Sequence, residues 1–528
     1  MGAVRSLLDD DPGFDLRATL MGLVRRDLIA PDRSLLPGDD AFRFRHLLIR
    51  DAAYEAAPKA VRAALHERFA SWLVEVAGDH VAEQEEIVAY HLERAYRLLE
   101  QLGPLTDEAR MLALRAADRY RACAQRASER GDESAAAALH RHAVDLLPED
   151  HPDRPRELYE LAHSLLVGFE APAALAAADE ALSAAIAARD ESLEWMARLD
   201  RTQAQLLVDP HARPTEDVLR EFSQAVEAFG RLGDERGLAE TSLAMVEIDW
   251  IRCAFDVAVE RAERASQHAR ATGDRRLLQR ALIRMQAAQM FGSTKPEDAL
   301  RAIDSMLAEV GRDSELGPIS LVHQSLYASY QGDFDRARDL SDASLALAER
   351  LGNRFMMAAS SGFRGEIETL AGEPSEAERF ARREHDILLA LGDDGHRSTS
   401  AAELATVLSD LGRLDEAESL ATEAMNLAAA DDLASQVFGR VALAHVRIAR
   451  GRFEDAVSLT REGVDMIADA QMPNQSGKTW FALAQSLHAA GRHAEATEAA
   501  QTALAFFDRK GIRPAADAVR AFVAEIGG

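Results

Sequence analysis

The chain has 528 residues, more than one hydrophobic core usually encloses, so it must be several domains or an array of repeats. Aromatic residues make up only 6% against 47% apolar in all, which predicts cores of Ala, Leu and Val between closely packed helices rather than sheets. With 61 basic and 89 acidic residues the formal charge is −28, a balance that repels nucleic-acid phosphates and anionic lipid.

No local cluster reverses that sign. The lysines are Lys59, Lys295, Lys478 and Lys510 alone, and Arg alternates with Glu and Asp at the three- and four-residue spacing of solvated helix faces. The first residues, "MGAVRSLLDDDPGFD", have no apolar core and turn acidic at once, so they do not read as a signal peptide. The Asp run at 9–11 reads as a solvated tail. No apolar run comes near the roughly 18 residues of a membrane span, and the expected location is the cytoplasm, with no membrane or nucleic-acid partner. Cys123 and Cys253 lack CxxC or His neighbours and read as small buried groups in a reducing compartment.

Residues 16–26 predict an amphipathic helix. "LIAP", "PGDD" and "AFRFRH" then read as a strand, a turn-rich wing and a returning strand, with Phe42 and Phe44 on one face. "HLLIRDAAYEAA" is the following helix, and Pro58 starts the next. Residues 1–57 thus predict a small winged-helix-like domain with a short β-hairpin, and 58–106 predict connecting helices. The stretch "FRFRHLLIRDAAYEAAPKAVRAALHERFASWL", followed by "EEIVAYHLERAYRL", resembles the segment after the nucleotide-binding domain of bacterial STAND signalling ATPases. It is most similar to those fused to class III adenylate/guanylate cyclase domains. In related NB-ARC proteins a Met-His-Asp signature holds a His near the ADP phosphates. "Arg45-His46-Leu47" stands at the matching place, with Arg45 for Met and Leu47 for Asp. The resemblance implies a nucleotide contact for His46 in intact relatives; the alternative reading of this residue is a structural contact where the wing meets the helix.

From about residue 107 a repeat sets in. Gly332, Gly372, Gly412, Gly451 and Gly491 open "GDFDRAR", "GEPSEAE", "GRLDEAE", "GRFEDAV" and "GRHAEAT", at spacings of 40, 40, 39 and 40. Gly292, Ala254, Gly168 and Gly131 extend the series backwards, with an interruption at "DPHARPTED", residues 209–217. Each unit predicts a helix ended by a left-handed Gly cap, a tight turn, and a second helix with an acidic first turn. Trp480, Leu483, Ala484, Leu487, Gly491 and Ala496 fall on the signature positions of the tetratricopeptide repeat (TPR), as do Tyr120, Ala124, Gly131, Ala136, Ala143 and Pro148. The chain therefore resembles that family over 107–528, though its period is nearer 40 than 34. The expected fold is all-α: a TPR-like right-handed superhelical solenoid of about ten helical hairpins. In such an array each hairpin should touch only its neighbours.

Chemistry-bearing motifs are scarce. No GxxxxGK[ST] occurs; in "MPNQSGKT", residues 472–479, Met472 takes the place of the required first Gly and a helix precedes it. His66, His80 and His91 look too scattered for a metal, and the two His of "HRH" at 140–142 diverge on a helix. Tyr327 and Tyr330, one turn apart in "LYASYQGD", are candidate ligand aromatics on the inner face, core packing being the alternative. No catalytic set, metal or cofactor is expected. The expected function is a non-catalytic regulatory and scaffold module, the sensor and protein-interaction tail of a STAND-type ATPase without its nucleotide-binding and output domains. Its partner would be a protein, a peptide or a small effector on the concave face, with an ATPase or cyclase domain encoded upstream. The alternative from another class is a degenerate cyclase- or ATPase-related chain that retains nucleotide binding through the winged helix.

Overall fold

Many helices in this chain begin where a short acceptor side chain stands one residue ahead of a helix-forming run. Asp132, Asp190, Asp234, Asp333, Asn353, Asp393 and Asp432 each accept the backbone N–H three residues on, satisfying a donor that the helix itself leaves open. The computed structural model describes residues 2–8, 15–32, 40–209, 212–314, 316–428 and 432–527. Among them are 26 α-helices and one two-stranded sheet, and the chain is all-α with TPR-like helical hairpins. It divides into two compact units, 1–214 and 215–528. Their boundary at Pro214 falls within the interruption read at 209–217.

In the first unit the helix Leu16–Arg25 leads into an antiparallel pair, Ile29–Asp32 with Ala41–Phe44, in the register Ile29↔Phe44 to Asp32↔Ala41. Leu16, Leu20 and Ile29 form a small core on which Phe42 packs, while Phe44 is exposed. Helix, hairpin and helix Leu47–Ala56 agree with a winged helix in outline. Most of the expected wing, 33–39, and the Asp run at 9–11 lie outside the described residues. Helical hairpins follow from Lys59–Ala77 to Glu191–Val208. One expectation needs correction here. The helix Ala171–Ala188 is long and apolar enough to cross a membrane by length and composition, because eleven residues of modest alanine hydropathy add up where no long aliphatic run exists. Ala174, Ala178, Ala181 and Ala185 on it are buried against neighbouring helices.

In the second unit the repeat glycines are left-handed as predicted, with φ of 84° at Gly332, 76° at Gly372 and Gly412, 73° at Gly451 and 76° at Gly491. Nothing crowds these positions, so backbone conformation alone selects Gly there. Three predicted turn residues behave differently. Gly292 has φ −74°, and the left-handed residue of the Ala254 turn is Cys253, with φ 53°. In the first unit Phe169, not Gly168, takes the left-handed conformation, with φ 60°. Both cysteines are buried, free thiols.

The second unit also departs from the open array. Residues far apart in sequence meet because the superhelix closes on itself. The C-terminal side chains Leu483, Ala496, Phe507 and Val519 share one core with Ile303, Leu326 and Tyr327. Met472 packs with Cys253 and Phe255. Three polar contacts staple the two ends together. Gln471 donates its backbone N–H to Cys253 O at 2.8 Å. Its side-chain Oε1 accepts from Asp256 N at 2.9 Å and Val257 N at 3.3 Å, capping the helix Phe255–Thr272 in place of Ala254, which has no cap to offer. Lys510 Nζ, fully buried, donates to Gln289 O at 2.8 Å and Gly292 O at 2.6 Å, covering carbonyls at the end of the helix Arg275–Phe291. The central helix Leu316–Tyr330 is consequently buried almost all round.

Candidate functional site

The inner helices of the second unit are the first of each hairpin, and four of them converge on one polar cluster. Glu366 on Arg354–Ala371 accepts Lys478 Nζ at 2.9 Å and Asn474 Nδ2 at 2.9 Å, both from Pro473–Ala489. Asn474 Nδ2 also reaches Tyr330 Oη at 3.0 Å, and the Tyr330 hydroxyl bonds Glu366. Burial pushes the Glu366 carboxyl up, but the Lys478 charge and these hydrogen bonds outweigh it and hold the group below the usual carboxylate range. Lys478 in turn is raised, since Glu366 and Glu403 overcome the effect of burial.

Two further carboxylates have no such support. Glu403, on Asp394–Asp410, is pushed up to about 7 by burial; Lys478 draws it down and Glu366 drives it up. Glu384, on the outer helix Pro374–Leu391, is raised well above the carboxylate range by burial and by Glu403. Its Oε2 is sealed from solvent with no hydrogen-bond partner among the described residues. The carboxylate lies flat on Gly362, where an added Cβ would stand 2.4 to 2.5 Å from it, so only glycine leaves that place open. The cluster is not enclosed: 44% of the Lys478 side chain remains exposed. Among the described residues no three His, Cys, Asp or Glu side chains converge closely enough to hold a metal ion.

The sequence candidates are placed as follows. Tyr330 belongs to the cluster through its hydroxyl. Tyr327 is fully buried, edge-on to Tyr330 with 6.2 Å between ring centroids, and Lys510 Nζ stands 5.6 Å from its ring. His46 is exposed at the N-terminus of Leu47–Ala56 and makes no side-chain capping bond. His66 and His91, which looked scattered, are brought together at 2.7 Å between their Nδ1 atoms, because consecutive helices place them face to face. Tyr54 bonds His66 Nε2, and burial lowers His91 to about 4. The lookalike "MPNQSGKT" is a helix start, and its Lys478 is the partner of Glu366. Sequence reading missed Glu366, Glu384, Glu403, Asn474 and Lys478; the rarity of lysine was the one available signal.

A second concavity, of about 630 Å³, lies between Arg354–Ala371 and Pro374–Leu391 and is lined by Arg354, Arg379, Arg382 and Arg383. Three of these are paired already: Arg379 with Glu376, Arg382 with Glu378 and Glu416, and Arg383 with Glu349.

No protein-family model matches the chain, and neither does any curated protein sequence. Solved structures are similar in fold. A Rap protein complexed with competence and sporulation factor is 13% identical with a TM-score of 0.51, covering 71% of this chain and 99% of its own. The apo quorum sensor NprR from B. thuringiensis is 11% identical with a TM-score of 0.45, covering 66% and 98%. A STAND protein with a tetratricopeptide repeat sensor from Pyrococcus horikoshii is 14% identical with a TM-score of 0.40, covering 89% of this chain and 61% of its own.

Proposed function

We propose that this chain is a non-catalytic regulatory module that binds a peptide or protein segment on the inner face of its second unit. The observation that carries the reading is the cluster of Glu366, Glu384, Glu403, Lys478, Asn474 and Tyr330. It is a solvent-connected group of charges inside a helical superhelix, where neutral packing would be cheaper. The Rap protein complexed with competence and sporulation factor shares the fold and supports an interaction role by analogy only. The finer assignment, the sensor and interaction tail of a STAND-type ATPase acting in the cytoplasm, rests on the resemblance of residues 42–73 and on the helix–hairpin–helix order there.

The test is selection of random displayed peptides on the full chain, followed by hydrogen exchange with the peptides recovered. Protection is expected in Arg354–Ala371, Asp394–Asp410 and Pro473–Ala489. Failure to recover any binder, or protection confined to other segments, refutes the reading. A calorimetric titration with Mg-ATP separates the nucleotide-binding alternative: micromolar affinity, lost in His46→Ala, would favour it.

A further inference from the structure

We infer that the occupant of the inner cluster is a peptide that presents a basic side chain, Arg or Lys, to Glu384 and Glu403. This deepens the peptide-binding reading and rests on it.

Three carboxylates meet one ammonium, and Glu366 already takes that ammonium together with Asn474 and Tyr330. Glu403 has only a share of the Lys478 charge, and Glu384, facing Glu403 from the preceding helix, has no cation acting on it. The titratable groups that act on Glu403 are Lys478, Glu366 and Tyr330, and the one that acts on Glu384 is Glu403; only Lys478 is basic. Independently, Glu384 Oε2 is a sealed acceptor without a donor, held open by Gly362. A buried acceptor left unmatched is a cost that a ligand donor relieves. A bare metal ion is the wrong shape for the place, since the acidic side chains do not converge to metal-ligand distances. A planar guanidinium or an ammonium can bridge acceptors that are farther apart. Access is provided beside Lys478, whose side chain stays partly exposed. Both carboxyls are held protonated more strongly than usual in the free chain, so binding a cation must expel protons, and affinity rises with pH.

Random displayed peptides are selected in parallel on the full chain and on Glu384→Gln/Glu403→Gln. Recovered peptides should be enriched in Arg or Lys at one position on the parent, and the enrichment should vanish on the double variant. A parent-selected peptide should lose about tenfold to a hundredfold in affinity for that variant. It should bind the parent more tightly at pH 8 than at pH 6. Lys478→Met, which removes the one competing cation, should tighten binding, an opposite sign that misfolding cannot produce. Peptides recovered without a basic position, or basic enrichment that survives the double variant, overturn this inference and leave the peptide-binding reading standing. Recovery of no peptide overturns both.

Discussion

Gln471 caps a helix 214 residues away from it, and that contact gives the closed superhelix a measurable signature. Its Oε1 accepts the N–H groups of Asp256 and Val257, the second and third helical residues after Ala254, at 2.9 and 3.3 Å. Those are the donors a Ser or Asp at position 254 would take. Gln471→Ala should therefore cost what a lost N-cap costs, about 1 kcal/mol, or roughly 2 °C in the melting temperature of a unit this large. The backbone bond from Gln471 N to Cys253 O survives the change, so the loop keeps its place. Ala254→Ser supplies the missing acceptor locally. It should restore about 1 kcal/mol in the Gln471→Ala background and add little to the parent, whose donors are already met. Thermal unfolding of the four proteins checks this. If Ala254→Ser stabilises both backgrounds equally, or Gln471→Ala leaves the midpoint unmoved, the cap across the closure is not real.

Phe169 stands 82% exposed in a left-handed turn with φ 60°, so Phe169→Gly should relieve backbone strain and stabilise the first unit by about 0.5–1 kcal/mol; a lower melting temperature would contradict this. The Glu403 carboxyl is raised in the folded chain, so the folded state keeps a proton that the unfolded chain releases near 4.5, and stability is lost as pH rises from there to about 7. Glu403→Gln should leave stability near pH 4.5 unchanged and raise it at pH 8 by about 1–2 kcal/mol, measured by urea unfolding at both values; an equal effect at the two would refute the charge argument.

What could be read from the sequence was local. Glycines every forty residues mark left-handed caps because that conformation depends on a single residue. The signature positions Leu483, Ala484, Leu487 and Ala496 are core because helical spacing puts them on one face. Where a Gly was missing, the turn was read one residue away, at Ala254 rather than Cys253. The closure was not legible, since nothing in "MPNQSG" says that it meets Cys253 or Tyr330. Glu366, Glu384 and Glu403 were three acids among 89, and periodicity treats inward and outward carboxylates alike. Lysine left the only trace: two of the four make contacts that bridge distant repeats, Lys510 fully buried on the carbonyls of Gln289 and Gly292 and Lys478, half exposed, on Glu366.

The staple also restricts how this molecule can evolve. Repeat proteins ordinarily change length by duplicating or deleting a hairpin, and an open array absorbs such events at any point. Here, gaining or losing one hairpin between Thr272 and Gln471 would rotate the tail by one repeat. Gln471 would then face the wrong helix start, and Lys510 would be carried away from the carbonyls of Gln289 and Gly292. Its ammonium would be left buried without partners or forced out into water. The closing contacts therefore hold only for the present number of hairpins in that interval, independently of what any one of them binds.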